Sequence, residues 1–360
     1  MKRIFVSDCE GPIVKNDNAF ELTSHFVPEG ERFFGVISKY DDVLSGVGKR
    51  QGYVAGSTLK LVLPFLMAFD VTNGVMEEFS AANLVLLSGS KATMSDVRKV
   101  SEAFIVSTSY EHYIRALCRE FGFPLENTYC TKVNLAAYEM TAKEKLKLRS
   151  FAWEIAGMPM INIPSNARSL HDLSSKDQST VKRLGKIFWK EIAGMHCKRI
   201  FSDVAIVGGV EKANVVRDVA GMLSSPMEDV MYVGDSITDV EAFRLVRAGG
   251  GLAVSINGDG DAVSNAEVAV LSGNSVVISI LADIFLRFGK AEALNVVGNW
   301  DRDFLWRSFV DPPLLDRLFA LYPESLPRVR IISEWNLESL AYESHQYRKT
   351  VRGEAVAKLG

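Results

Sequence analysis

Cysteine and histidine are scarce in this sequence, with four of the first and five of the second in 360 residues. Cys9, Cys118, Cys130 and Cys197 lie far apart with no Cys-x-x-Cys pair, so they read as reduced thiols and not as a disulfide frame or a metal centre. No His-Glu-x-x-His occurs, which removes the commonest zinc-site pattern. Long apolar runs are also missing. The two greasiest stretches, LKLVLPFLMAF and VVISILADIFLRF, are too short or too charged to span a bilayer. The three apolar residues Ile4, Phe5 and Val6 are too few for the core of a signal peptide, so the expected address is cytoplasmic and the chain is not expected to cross a membrane. There is no basic block, and a net charge of −3 gives no electrostatic case for a nucleic-acid partner.

What is present is 48% apolar and 24% charged, the balance of a globular protein long enough for a large core and more than one compact unit. Four β-branched runs end at polar residues: RIFVSD at 3–8, AFIVSTS at 103–109, DVMYVGDS at 229–236 and LAVSIN at 252–257. Such runs predict buried parallel strands. Helical periodicity follows or precedes several of them, as in EHYIRALCREFGF and EKANVVRDVAGML. Strand–helix alternation of this kind predicts an α/β fold, a doubly wound parallel sheet with ligands at the carboxyl ends of its strands.

The strands are far apart in sequence. Residues 15–88 read as helical and are too long for a crossover, so they form an inserted cap. A second helical insertion occupies 136–199 and contains EIAGM twice, at 154–158 and 191–195, read as two helices sharing a glycine stop. The core is then 1–14, 89–135 and 200–290, and the aromatic, charged segment 291–360 reads as a C-terminal helical extension laid on that core.

Two acids, Asp8 and Glu10, stand one residue apart where the first strand stops, and on extended backbone they point the same way. Like charges held so close are costly unless a cation or a reaction uses them. Asp235 ends another strand, so it and Asp8 can share one hard cation with oxygen ligands; Asp239, four residues on, reaches back toward the same ion. Ser107 ends a third strand, where its hydroxyl and neighbouring backbone N–H groups, with Thr108, can hold phosphoryl oxygens. Lys212 begins a helix, where its ammonium and the helix N-terminus both favour an anion. The set reads as a phosphate and Mg²⁺ site, in which a carboxylate can also act as nucleophile.

The motifs DCEGP, FIVSTS, VEKAN and GDSITD, in that order, resemble those of the haloacid dehalogenase (HAD) superfamily over roughly half of the chain. The resemblance implies a HAD-like (Rossmann-like) core and a phosphatase that hydrolyses a small phosphorylated metabolite. Asp8 would become the phospho-aspartate and Glu10 would serve as acid and base. Mg²⁺ would be held by Asp8, the Glu10 carbonyl and Asp235, supported by Asp239, while Ser107, Thr108 and Lys212 would orient the phosphoryl group. Two positions depart from the family pattern. Glu10 stands where Asp is commoner, moving the carboxyl by about 1.5 Å, and Pro12 replaces the usual Thr, removing a hydroxyl and an N–H donor. Glutamate at that place occurs in a branch similar to phosphoserine phosphatase, which keeps a phosphotransferase with an alcohol acceptor as an alternative. The first cap is similar to that of archaeal HAD-like proteins, some labelled energy-converting hydrogenase A subunit R. That implies a second alternative, a low-turnover accessory subunit associated with a hydrogenase complex, although no cluster cysteines or nucleotide fingerprint accompany it.

Other stretches take plainer readings. GVGKR at 46–50 is half a P-loop and reads as a cap turn, and NGDGDA at 257–262 lacks the later ligands of a calcium loop and reads as a turn that brings Asn257 near the site. Cys9 should point away from its acidic neighbours into packing. Tyr40, Asp41, Asp42 and Lys60 read as solvated cap surface that a substrate can reach.

Overall fold

A computed structural model describes residues 3–48, 53–164 and 167–357, so Lys49 and Arg50 of the GVGKR stretch lie outside the described residues. Seven strands form one sheet in the order β3-β2-β1-β4-β5-β6-β7. They are β1 (Ile4–Ser7), β2 (Glu102–Tyr110), β3 (Thr128–Thr131), β4 (Val230–Gly234), β5 (Leu252–Ile256), β6 (Val268–Leu271) and β7 (Arg328–Ile331). The first six are parallel, and β7 runs antiparallel to β6. Strand β1 is central, with Ile4 facing Glu102 of β2 and Val230 of β4.

The four expected strands are all present. Three more, β3, β6 and β7, escaped the sequence reading. TYCT and VAVL are each only four residues long, and RVRI alternates charge with apolar because it is an exposed edge. The C-terminal extension is therefore not purely helical.

Alternate residues of the central strands enter two apolar layers. Phe5, Ile105, Met231 and Val254 pack against the helices Ser90–Val100, Glu111–Phe121 and Val276–Phe288. Ile4, Val106, Tyr232 and Ala253 pack against Val210–Met222 and Val240–Ala248. Burial on both faces is why these strands read as continuous apolar runs.

The two insertions share one apolar core. Phe33 and Phe65 of the first stack edge-on at 4.8 Å, and Phe65 in turn meets Phe188 of the second at 6.1 Å. LKLVLPFLMAF is the buried helix Thr58–Ala68 of that core, and VVISILADIFLRF lies buried beneath the sheet. Among the described residues no single helix is long and apolar enough to cross a membrane. The EIAGM copies differ in conformation: the first closes the helix Ala142–Ala156, whereas the second lies in a tight turn around Ile192–Gly194. Tyr40 and Asp41 are not solvated surface. Tyr40 is buried against Phe188 and accepts a hydrogen bond from Trp189 Nε1 at 2.9 Å, and Asp41 Oδ2 accepts from the Thr58 backbone N–H and hydroxyl, both at 2.9 Å.

Candidate active site

The carboxyl ends of β1, β2 and β4 lie side by side, and the motif residues gather there. The Asp8 N–H donates to Val233 O at 2.8 Å, which continues β1 beside β4 for one more residue. Of the Asp8 carboxylate, Oδ1 accepts from the Cys9 N–H at 2.6 Å and Oδ2 lies 2.7 Å from Lys212 Nζ. Cys9, at the bend just past the end of β1, turns into the core with Phe5 and Ile105. Glu10 Oε1 accepts from the Asn18 N–H at 3.1 Å, at the start of the cap's first helix, which Asp17 caps by accepting from the Phe20 N–H. Gly11 adopts φ +99°, and a Cβ there would sit 2.2 Å from Asp235 Cγ, so only glycine lets this loop cross the second acid.

The GDSITD turn is organised around Asp239. Its Oδ2 accepts from the Asp235 and Ser236 N–H groups at 2.9 and 3.1 Å, and its Oδ1 takes the Tyr232 hydroxyl at 2.6 Å and Lys212 Nζ at 2.7 Å. Lys212, wholly buried near the start of Val210–Met222, thus bridges Asp8 and Asp239. Ser107 is also brought to this edge, but its hydroxyl accepts from the Ser109 N–H at 3.1 Å. Thr108 lines the cavity beside Asp8 and lies where β2 loses register with β3, between Ser107 and Tyr110. The cap supplies Ser38, Asp42 and Thr58 to the same cavity, which holds about 90 Å³. Asn257 does not line it: its amide is bonded to the backbone of Ser272.

Burial controls the protonation of the acids. Desolvation pushes Asp8 up to about 7 against the pull of Lys212, with Asp239 and Asp235 adding to the rise. Desolvation and then Asp17 push Glu10 to about 8. Burial works against the charge of Lys212, but Asp239 and Asp8 outweigh it and hold the ammonium above its ordinary range.

Several site residues carried no signal that the sequence reading could use. Arg348 and Arg352 come from the helix Leu337–Arg352 near the end of the chain and both contact Asp235 Oδ2, Arg352 Nη1 at 2.7 Å. Arg348 Nη1 also donates to the Asp235 carbonyl at 3.0 Å. Asp259 accepts from the Ile237 N–H at 3.1 Å and its own N–H donates to Asp235 O at 2.9 Å, fixing the GDSITD turn from the neighbouring loop. The i, i+4 spacing of the two arginines is visible in the sequence, but nothing local says which acid they meet.

One carboxylate oxygen from each of Asp8, Asp235 and Asp239 can be chosen so that all lie within 4.8 Å of one another, and all three residues are buried. Three hard oxygen donors so close and so buried fit a divalent cation such as Mg²⁺.

No protein-family model and no curated protein matches the chain. Among solved structures, a gene product of Archaeoglobus fulgidus is similar over 100% of this chain and 99% of its own, at 24% identity and a TM-score of 0.79. A substrate-bound phosphoserine phosphatase covers 77% of this chain and 97% of its own at 12% identity and a TM-score of 0.45. A phospho-aspartyl intermediate analogue of phosphoserine phosphatase covers 74% and 92% at 12% identity and a TM-score of 0.43. The likeness to the Archaeoglobus structure extends over the insertions and the C-terminal segment as well as the sheet. With the sheet order, the parallel strands and the motif residues at their carboxyl edge, the fold is α/β and HAD-like, a doubly wound sheet with helical insertions.

Proposed function

We propose that this chain is a Mg²⁺-dependent phosphohydrolase acting on a small phosphorylated metabolite through an aspartyl-phosphate on Asp8. The observation that carries the reading is the buried triangle of Asp8, Asp235 and Asp239 bridged by Lys212, with Glu10 two residues from Asp8. In the first step an Asp8 carboxylate oxygen attacks phosphorus, the ester P–O bond breaks and the leaving oxygen takes the Glu10 proton. In the second, Glu10 takes a proton from water, the water oxygen attacks phosphorus, and the acyl-phosphate P–O bond breaks to release phosphate and restore Asp8. A carboxyl held near 8 is protonated at neutral pH, as the first step needs. Magnesium held by Asp8, Asp235 and the Glu10 carbonyl, with Asp239 in support, would neutralise phosphoryl charge. Lys212 supplies fixed positive charge at the same place, and Thr108 and Ser107 offer hydroxyl and N–H groups to the phosphoryl oxygens. Residues 15–88 and 136–199 act as one cap that selects the substrate, supported by their shared core and by Ser38, Asp42 and Thr58 at the cavity wall. The rival reading, a low-turnover accessory subunit, draws on Arg348 and Arg352 at Asp235.

The test is phosphate release by the purified protein with Mg²⁺ across a panel of phosphorylated metabolites, with Asp8→Asn in parallel. Release that requires Mg²⁺ and is lost in the variant is expected. Release from no compound above the variant's background overturns the phosphatase reading in favour of the accessory one.

A further inference from the structure

The helix Leu337–Arg352 contacts both the core and the loop that leads into the cap. Leu340 packs on the core with Val263, Ala269 and Leu271, and Ser344 Oγ donates to Gly258 O at 2.7 Å. Arg348 and Arg352, one turn apart, converge on Asp235 Oδ2 with side chains only 2% and 4% exposed. Arg352 also donates to the carbonyls of Lys15 and Asn16, at 2.8 and 3.3 Å, where the nucleophile loop passes into the cap. Just beyond the helix, Val356 enters the apolar core of the cap. Ala355, Ala357 and His345 form one wall of a cavity of about 900 Å³ whose opposite wall is the cap helix Gly30–Asp42.

Lys212 pairs with Asp8 and Asp239, and Arg348 and Arg352 pair with Asp235, with little of any of these side chains exposed. A dication at Asp8, Asp235 and Asp239 would need carboxylate oxygens of which one already carries two guanidinium contacts. Lys212 is locked between two acids inside the core, so the arginines are the cations that can leave. They sit on the helix that follows the last strand, packed on the core through Leu337, Leu340, Ala341 and Tyr347 and, at its end, Val351; elements near a chain terminus are among those that open ahead of the core.

We propose that Leu337–Arg352 is a tethered competitor of a divalent cation: Arg348 and Arg352 hold the Asp235 oxygen that a cation would need, so that a bound cation would release the helix from the site and free the cleft between cap and core. The proposal rests on the cation part of the function proposed above and not on turnover. Because coupling is reciprocal, weakening the helix contact must tighten the cation.

The test uses the full chain and two readouts other than activity. Mn²⁺ binding is measured by paramagnetic resonance for the native protein and for R348Q/R352Q, and hydrogen exchange of residues 337–352 is followed in the native protein with and without Mg²⁺. The expected result is Mn²⁺ bound about tenfold or more tightly by the variant, together with faster exchange across 337–352 when Mg²⁺ is added. Mn²⁺ bound by the native protein with no faster exchange in that helix overturns the proposal and leaves the cation site standing, whatever the variant does, since removing two positive charges alone would tighten a cation. Equal or weaker Mn²⁺ binding by the variant overturns it as well. No Mn²⁺ binding by either protein overturns this proposal and the cation-dependent function together.

Discussion

The buried acids of this site are neutralised in two different ways. Asp8 and Asp239 share Lys212, which stands on a helix packed against the sheet face of Ile4, Val106 and Tyr232, and the Tyr232 hydroxyl donates to Asp239. Asp235, one strand end away, is neutralised by Arg348 and Arg352 from a helix whose own apolar cluster is small. The first half is built entirely from the sheet and the helices flanking it, so its geometry survives as long as the core does. The second half depends on a helix that follows the last strand of the sheet, so its geometry rests on how that helix packs. A carboxylate that must stay fixed belongs in the first arrangement, whereas one that must exchange partners belongs in the second.

The largest effect should come from the first half. Asp8→Asn is expected to lower phosphate release by about 10³-fold or more with the fold intact, since the variant keeps the shape and removes a buried acid already pushed up to about 7 by desolvation. Full release by Asp8→Asn would remove the nucleophile from the proposed chemistry. Next in size, Lys212→Met strands two buried acids and should cost about 3–5 kcal/mol of stability. Arg352→Met leaves Arg348 on Asp235 and gives up donors to Lys15 O and Asn16 O, for a smaller loss of about 1–3 kcal/mol. Thermal unfolding of both variants checks the contrast, and equal losses would mean that the C-terminal helix is as integral to the core as Lys212.

The same division decides what could be read from the sequence. The sheet half was legible because its signals are local: an apolar run that stops at an acid, a lysine at a helix start, and the GDSITD turn, in which Asp239 folds back four residues to the N–H of Asp235. The arginine half was not, because Arg348 meets Asp235 across 113 residues and no pattern near either end specifies the pairing. Tyr232 was hidden for a different reason, since a tyrosine in a buried strand reads as core until its hydroxyl is placed. The cap was recognised as two helical insertions, but their common core was not, since Phe65 finds Phe188 only after the chain has passed through β2 and β3. Tyr40 and Asp41 were misjudged because YDD reads as polar surface, while folding places Tyr40 against Phe188 and gives Asp41 the donors of Thr58.

Glu10 tests the boundary between the halves, since it lies on the loop that follows β1 and yet faces the cap and Arg352. Its carboxyl is raised from 4.5 to about 8, chiefly by burial and then by Asp17. The folded state therefore binds this proton more tightly than the unfolded state does. Its contribution to stability is complete below about pH 4.5 and is lost as pH rises through about 8. Glu10→Gln, permanently neutral, should flatten this part of the profile, with a melting temperature several degrees above the native protein's near pH 9 and little difference near pH 5. Parallel profiles for the two proteins would show that Glu10 is ionised at neutral pH and unsuited to donate the proton in the first step.

The smallest effect should come from Cys9, which lies between the two acids in sequence and on the opposite side of the strand in space. Its thiol is buried with Phe5 and Ile105, and burial followed by the negative charge of Glu10 and Asp8 pushes it well above its ordinary range, so it is held as an inert packing group. Cys9→Ala should cost about 1 kcal/mol for the cavity it leaves and should not alter phosphate release under subsaturating substrate. A loss of release comparable to that of Asp8→Asn, with the melting temperature unchanged, would place the thiol in the chemistry. It would also mean that the bend at Cys9 rearranges during turnover, because the thiol is buried in the core with Phe5 and Ile105.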